Sequence, residues 1–451
     1  MDFADPSPSA PTMQGRDGDP GVKILLTGAR GFIGGHLAEA LLSDHHRLVC
    51  PVRAAPHDAS DDARAIFVPV DFASCVRPED WSPLLDGVDV VINTVGIFRQ
   101  ERGQSFQRIH ETVPLALFKA ARQRRALVIQ FSALGADRNA QSAFHTSKRA
   151  ADDGLRALGI PAFIVQPSLV YGAGGASAAL FNRLAAWPLL PLPGGGTQRV
   201  QPVHITDVVA GVRALLGRPT RDAVTIAFCG PDALTLRDYL ATLRTGLGYC
   251  ARQRVVAVPG ACARLAARVA DALPGSLIGP ESLSMLERGN TGDATAFSVL
   301  LGGAPRPPRR FVAQRERHAY RAAATLDNLL PLLRASVAAV WLWTAIVSLG
   351  LYPIPDSLAL LQRSGVPAAY ATFALYGAAG LDLLFGILTV VWRGRSVRWL
   401  WLAQMALILA YTGIITWRLS EQWLHPFGPI SKNLPMLAVL LLFYLHEDRR
   451  H

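Results

Sequence analysis

Four apolar runs follow one another near the C-terminal end of the chain, at roughly 331–351, 368–391, 397–417 and 430–446. Each comes close to the ~20 residues that carry a helix across a bilayer. Hydrocarbon offers no water to a backbone N–H or C=O, so an isolated apolar run there must bond to itself, as a helix does. Tyr352, Trp392, Trp399, Trp417 and Tyr444 sit near the ends of the runs, where aromatic rings with a polar edge settle at the membrane interface. The pattern predicts an all-α membrane domain of four helices over residues 331–451. Asp382 falls inside the second run. A carboxyl at that depth faces the bundle interior, either as a proton or quinone site or as hydrogen-bonded glue between helices. The loop His425–Asn433 is a second candidate site in this part of the chain.

The formal charge of +11 would suit a nucleic-acid binder, but the arginines are placed otherwise. They cluster before the first run (Arg306, Arg309, Arg310, Arg315, Arg317, Arg321), between the second and third (Arg393, Arg395, Arg398) and at the tail (Arg449, Arg450). With four spans, all three clusters fall on one side, and that side is the cytoplasmic one. Membrane lipid rather than nucleic acid is the expected partner. The five cysteines are scattered without a C-x-x-C pair, which points to neither a metal site nor a disulfide framework.

Upstream the composition is that of a soluble protein. Residues 1–20 are rich in Pro, Asp, Ser and Gly and read as a disordered tail. From residue 21 short apolar strands alternate with helical patterns. Strands are predicted at 22–27, 47–52, 65–70, 88–93, 126–131 and 162–167, with helices at 32–43, 112–124 and 146–158. This alternation is the mark of an α/β fold with a doubly wound parallel sheet, covered by helices on both faces. After residue 170 the chain turns Gly- and Pro-rich, and a small mixed lobe is expected to about residue 305, with a substrate pocket between lobe and sheet. Residues 306–330 read as a basic linker or an interfacial helix on anionic lipid.

The segment Thr27-Gly-Ala-Arg-Gly-Phe-Ile-Gly34 joins the first strand to the first helix. In such a turn Gly28 permits the tight bend, Gly31 lets backbone approach a diphosphate, and Gly34 lets helix pack on sheet. The helix N-terminus, opened by Phe32 and Ile33, offers its N–H groups to the phosphates. A site for NAD(H) would place a carboxylate at the end of strand two, on the ribose hydroxyls. That place holds Arg53, and Arg30 lies in the turn. Guanidinium groups suit a 2′-phosphate, so NADP(H) is expected in preference to NAD(H).

These stretches, together with VDFAS, INTVG, FSALGAD, QPSLVYGAGG and QPVHITDVVAG, resemble the atypical, extended-like short-chain dehydrogenase/reductases with a Rossmann fold. The subgroup is similar to that of the NADPH-binding accessory subunit of respiratory complex I, over about residues 21–300. The resemblance implies that Asp71 meets the adenine, that Asn93, Val95 and Gly96 line the cofactor, and that Pro167, Ser168 and Leu169 flank the nicotinamide. HPFGPISKNLP in the apolar part resembles DoxX-like four-helix domains.

Active members of this superfamily use a Tyr four residues before a Lys as general acid/base, with a Ser or Thr after strand five on the reacting oxygen. Ser132 and Lys148 fit two of these roles, and Phe144 stands where the Tyr would be. A phenyl ring can neither give nor take the proton that accompanies hydride transfer. Lys148 keeps the capacity to hold ribose. His145, Tyr171 or water could supply the proton instead, whereas His145 also fits a solvated or capping role, and His204 and Asp207 fit the ordering of a loop. Two classes of function therefore stay open. One is a membrane-anchored oxidoreductase for a quinone or other lipid-soluble substrate. The other is a non-catalytic NADPH-binding scaffold or assembly factor of a membrane redox complex. A nucleotide-sugar epimerase is disfavoured without the tyrosine.

Overall fold

Short runs of Val, Ile and Leu between glycines and helical segments form seven parallel strands in the computed structural model, which describes residues 21–54, 62–100, 103–272, 277–424 and 430–448. The tail expected at 1–20 and the first half of the His425–Asn433 loop lie outside the described residues. The chain divides into two compact units, Met1–Ala322 and Ala323–His451.

In the first unit the strands are β1 (Lys23–Thr27), β2 (Arg47–Val52), β3 (Ala65–Pro69), β4 (Val90–Asn93), β5 (Leu127–Phe131), β6 (Ala162–Pro167) and β7 (Ala223–Phe228). They lie side by side in the order β7-β6-β5-β4-β1-β2-β3, each pair parallel. The order reverses between β1 and β4, and such a reversal opens a crevice at the carboxyl ends of the strands. Successive side chains point to opposite faces. Ile24 and Leu26 join one buried cluster with Leu37, Val203 and Phe228, while Leu25 and Val91 join another with Leu117 and Leu155. Helix α1 (Phe32–Ser43) packs on the first face, and α2 (Val113–Arg124) and α3 (Ala143–Ala157) on the second. Each of the six predicted strands is present with bounds within two residues, and β7 is additional.

A cord of side chains crosses three neighbouring strands at their carboxyl ends. Thr27 Oγ1 donates to Asn93 Oδ1 at 2.6 Å, Asn93 Nδ2 donates to Gln130 Oε1 at 2.7 Å, and Gln130 Nε2 donates to Phe131 O at 3.3 Å. All three residues are fully buried, so each polar group needs the next one.

The second lobe packs around Tyr171, Leu190 and Tyr239. It holds helix Leu236–Gly246, helix Gly260–Asp271 and a parallel pair of strands, Leu189–Pro193 with Arg254–Val258. The basic stretch and the first apolar run share one helix, α4 (Arg317–Ile346), which runs through Pro331. Its first turn is tied within the first unit by Arg317 Nε, which donates to Gly246 O at 2.9 Å.

In the second unit, α4 is followed by a short helix, Ile354–Arg363, and then by α5 (Ala368–Val391), α6 (Val397–Arg418) and α7 (Asn433–Asp448). Among the described residues, three helices are long and apolar enough to cross a membrane, those ending at Leu351, Val391 and Arg418. The fourth expected span forms α7, only 16 residues long, or ~24 Å at 1.5 Å per residue. Trp341, Phe385, Leu400 and Phe443 lie in the buried core of this unit. Phe373 and Trp417 are exposed by more than four-fifths, as suits lipid-facing positions. Polar groups inside are paired across helices: Trp341 Nε1 donates to Gln404 Oε1 at 2.9 Å, and Gln404 Nε2 donates to Thr389 Oγ1 at 2.8 Å. Asp382 is buried, and its Oδ1 has no hydrogen-bond partner among the described residues.

Candidate functional site

The turn after β1 has the shape its glycines suggest. Gly28 takes φ +74°, a conformation that favours glycine, and its carbonyl accepts from Gly31 N at 2.8 Å. A Cβ at Gly34 would stand 2.0 Å from Gly28 O, so helix and turn meet only without a side chain there. Gly31 is the extended N-cap of α1, and no side chain caps the helix. The first-turn N–H groups, which have no partner within a helix, are thus left for an anion such as a diphosphate. Phe32 and Ile33 begin α1 and are half-buried, and Arg30 is exposed on the turn. Arg53 is exposed just past β2 and donates to Gln104 Oε1 at 3.0 Å.

The other expected cofactor residues divide into two groups. Gly96 is exposed after β4, and a Cβ there would lie 3.2 Å from Lys148 Nζ and 3.6 Å from His110 Nε2, so its lack of a side chain keeps space open over the lysine. Val95 offers its carbonyl to Lys148 Nζ at 3.3 Å. Asp71 is exposed and accepts from Ala73 N at 3.2 Å, capping a short turn. Of the remaining residues, the side chains of Asn93 and Ser168 and the backbone of Leu169 are already engaged within the protein. Asn93 spends its amide on the cord across the sheet. Ser168 Oγ donates to Gln201 O at 2.5 Å, and Leu169 N donates to Asn290 Oδ1 at 3.0 Å, so the segment after Pro167 is tied to the second lobe.

At the expected reaction centre Ser132 follows β5, and Lys148 and Asp152 sit one turn apart on α3. Ser132 Oγ donates to Asp152 Oδ2 at 2.5 Å, while Asp152 Oδ1 has no partner among the described residues. Lys148 Nζ donates to Phe131 O at 3.0 Å. Burial pushes the Asp152 carboxyl up to about 6, against the opposing pull of Ser132 and Lys148. Burial likewise brings the Lys148 ammonium down to about 8, although Asp152 opposes it. The two groups hold each other's charge in a nearly dry pocket.

Phe144 is buried in an aromatic box. Its ring stacks on Phe98 at 5.3 Å and meets Phe106 and His110 edge-on at 6.0 and 5.2 Å. His110 lies in a π-helical turn, Gln107–Thr112. Its Nε2 accepts from Ile97 N at 3.0 Å, and Nδ1 donates to Ser147 Oγ at 2.9 Å, because that hydroxyl already donates to Phe144 O. Burial and the neighbouring Lys148 charge push His110 down to about 2, so it stays neutral.

The two alternative side-chain proton sources, Tyr171 and His145, are both buried. Tyr171 OH donates to Asn182 Oδ1 at 3.2 Å, and burial pushes it up to about 12. His145 is not solvated: it is buried, with Nδ1 on Ser142 Oγ at 3.0 Å, and burial followed by Arg288 lowers its pKa. It borders a polar cavity of about 330 Å³ shared with Ser142, Asn139 and Arg288. His204 caps its helix through Thr206 N, and Asp207 accepts from Arg306 N at 2.7 Å, so both order local backbone. Sequence reasoning passed over Asp152, His110 and Glu281, whose Oε1 accepts from Phe144 N at 3.1 Å. For Asp152 a signal existed, since a lysine and an aspartate four apart share a helix face.

Residues 24–227 match the NAD dependent epimerase/dehydratase family, and residues 338–441 match the DoxX-like family. The ceramide reductase of Caulobacter vibrioides is 30% identical over 238 residues, 52% of this chain and 73% of that protein. The mitochondrial NADH dehydrogenase [ubiquinone] 1 alpha subcomplex subunit 9 of Arabidopsis thaliana is 27% identical over 235 residues, and the chain spans 58% of its length. Among solved structures, a nucleoside-diphosphate-sugar epimerase from Staphylococcus aureus is similar with a TM-score of 0.53 and 19% identity, covering 64% of this chain and 99% of that one. A tyrosine-to-phenylalanine mutant of a Bacillus cereus UDP-glucuronic acid 4-epimerase, solved with NAD, has a TM-score of 0.50 and 20% identity, covering 68% of this chain and 100% of that one. At these identities the structural likeness concerns the fold alone.

Proposed function

Since the chain belongs to the NAD dependent epimerase/dehydratase family and joins an NAD(H)-binding fold to a DoxX-like domain in one integral membrane protein, we propose that it is a membrane-anchored oxidoreductase of lipid-soluble carbonyl compounds. That class takes in quinones and, by likeness to the Caulobacter relative, a ceramide-type lipid. NADP(H) is the preferred cofactor, through Arg30 and Arg53 on the 2′-phosphate. Gly28, Gly31 and Gly34 would admit the diphosphate to the first turn of α1, with Lys148 on the ribose. A bacterial inner membrane is the proposed location, and the arginine clusters favour the N-terminal unit and the C-terminus in the cytoplasm.

One observation carries the catalytic reading: the buried pair Ser132–Asp152 beside Lys148. When bound, the dinucleotide supplies a hydride, and carbonyl reduction then needs one proton. Ser132 would give its hydroxyl proton to the substrate oxygen and recover one from the protonated Asp152 carboxyl. Lys148, whose Nζ donates to Phe131 O and Val95 O, keeps the pocket cationic. The pair thus does the work left undone by the missing phenol.

The test uses the detergent-purified protein. NADPH should bind, and its absorbance at the nicotinamide band should fall on adding a long-chain ketone or a quinone analogue. Bound cofactor without turnover over both substrate types would favour a second reading, an NADPH-binding scaffold of a membrane redox complex. Support for that second reading comes from Phe144 in its aromatic box and from the likeness to a subunit of NADH dehydrogenase.

A further inference from the structure

Helix Gly260–Asp271 in the second lobe is turned the wrong way round for a soluble protein. Its inward stripe is small: Ala263 and Ala267 pack against Leu283 and Val258. At ~100° per residue the opposite face carries Ala261, Cys262, Leu265, Arg268 and Val269. Leu265 and Val269 are each 63% exposed, and Cys262 is exposed as well. A water-facing helix ordinarily shows its polar residues outward.

The apolar surface continues onto the neighbouring strand. Residues 254, 256 and 258 share one face of that strand, and Val258 is the one that meets the helix. Val256 is 47% exposed, and Leu189, paired with Arg254 on the adjacent strand, is 54% exposed. Four exposed arginines surround this surface, Arg252, Arg254, Arg264 and Arg268, and Asp271 is the one acid between residues 250 and 272. Asp271 is itself paired with Arg99. The segment lies outside both family matches, which cover 24–227 and 338–441.

We infer that this face of the second lobe is a membrane-docking surface that seats Leu265 and Val269 in the interfacial layer and sets its arginines on anionic lipid headgroups. Two features select lipid as the occupant. The alternation of Leu and Val with Arg on one outward face suits a surface that is apolar below and anionic at its rim. The chain also carries its own membrane spans, so a bilayer is always within reach. The inference stands apart from any catalytic reading. It bears on that reading because a lobe seated in the interface would meet a lipid-soluble substrate where such a substrate dissolves.

The experiment uses the full chain in nanodiscs of phosphatidylcholine with or without phosphatidylglycerol. Cys50, Cys75 and Cys229 are buried, so Cys250→Ser leaves Cys262 as the site for a maleimide fluorophore. The reference site is Ile66→Cys on edge strand β3, in a Cys250→Ser/Cys262→Ser background. Doxyl-labelled lipids should quench the probe at Cys262 several-fold more than the probe at residue 66, with more quenching when phosphatidylglycerol is present. Arg264→Glu/Arg268→Glu should remove the phosphatidylglycerol dependence, and Leu265→Glu/Val269→Glu should lower quenching in both lipids. Nicotinamide fluorescence in the same samples reports cofactor binding, so a failure of the functional reading is seen separately. Equal quenching at the two sites would overturn the inference. So would shielding of Cys262 that follows protein density and ignores lipid composition, a result that assigns the face to a second copy of the chain.

Discussion

Ser132, at the end of β5, donates its hydroxyl proton to Asp152 on α3 at 2.5 Å, and neither residue is open to bulk water. On the proposed function this serine would accept from a substrate hydroxyl in one direction and, once Asp152 is protonated, would donate to a carbonyl in the other. Asp152→Asn should therefore lower NADPH-dependent carbonyl reduction by about 10²-fold or more while leaving NADPH affinity within a few-fold of wild type. The wild-type rate should fall as pH rises through about 6, where the carboxyl loses its proton, and this limb should be missing from Asp152→Asn. Steady-state rates over pH 5–9 (roughly the window in which the pair titrates) check both points.

The same carboxyl sets a stability trend. Its pKa is raised by burial from 3.8 to about 6, so the folded state holds the proton more tightly than the unfolded chain does. Stability from this group is present below the unfolded value and is lost as pH rises through the folded one. Between about pH 4 and 7 the wild type should lose roughly 2 kcal/mol that Asp152→Asn retains. Thermal melts of both proteins across that range measure the difference.

Restoring a phenol is the converse test. Phe144→Tyr places a hydroxyl inside the box made by Phe98, Phe106 and His110. Carbonyl reduction should rise by about 10-fold or more and become insensitive to Asp152→Asn. Stability should drop by about 1–3 kcal/mol, because the new hydroxyl is buried without a built-in partner. Kinetics of the single and double variants separate these effects.

Arg53 lies past β2 with its guanidinium on Gln104. Arg53→Asp should weaken NADPH binding by about 10-fold or more, since a charge-assisted contact to phosphate is lost and repulsion replaces it, and NADH binding should improve. Fluorescence titration with both dinucleotides gives the ratio directly.

Within the membrane unit Gln404 links Trp341 and Thr389 across three helices. Gln404→Leu should cost about 1 kcal/mol of stability and change the emission of Trp341. Unfolding in mixed micelles, followed by tryptophan fluorescence, tests it.

The sheet was legible because each strand is a short apolar run bounded by glycine or helix, and period-2 packing leaves little choice of register. The glycine turn was legible because Gly28 and Gly34 stand where a side chain would strain or clash. Asn93 and Ser168 were harder. Both types suit ligand contact, yet the folded chain spends them on Gln130 and Gln201 O, partners 37 and 33 residues away. Asp152 was missed for a related reason: on a helix surface an acid near a lysine usually means a solvated ion pair, and only the fold shows that this one is dry. The first apolar run looked separate from the basic stretch before it, but α4 carries residues of both and tolerates Pro331 within it.

The hydrogen-bonded cord from Thr27 through Asn93 to Gln130 has a consequence for assembly. Slip β1, β4 or β5 by one residue and an amide is stranded without a mate in the dry middle of the protein. Only one alignment of the three satisfies every link, so the mouth that receives a nucleotide is ruled into the sheet at its birth and waits for no ligand to shape it.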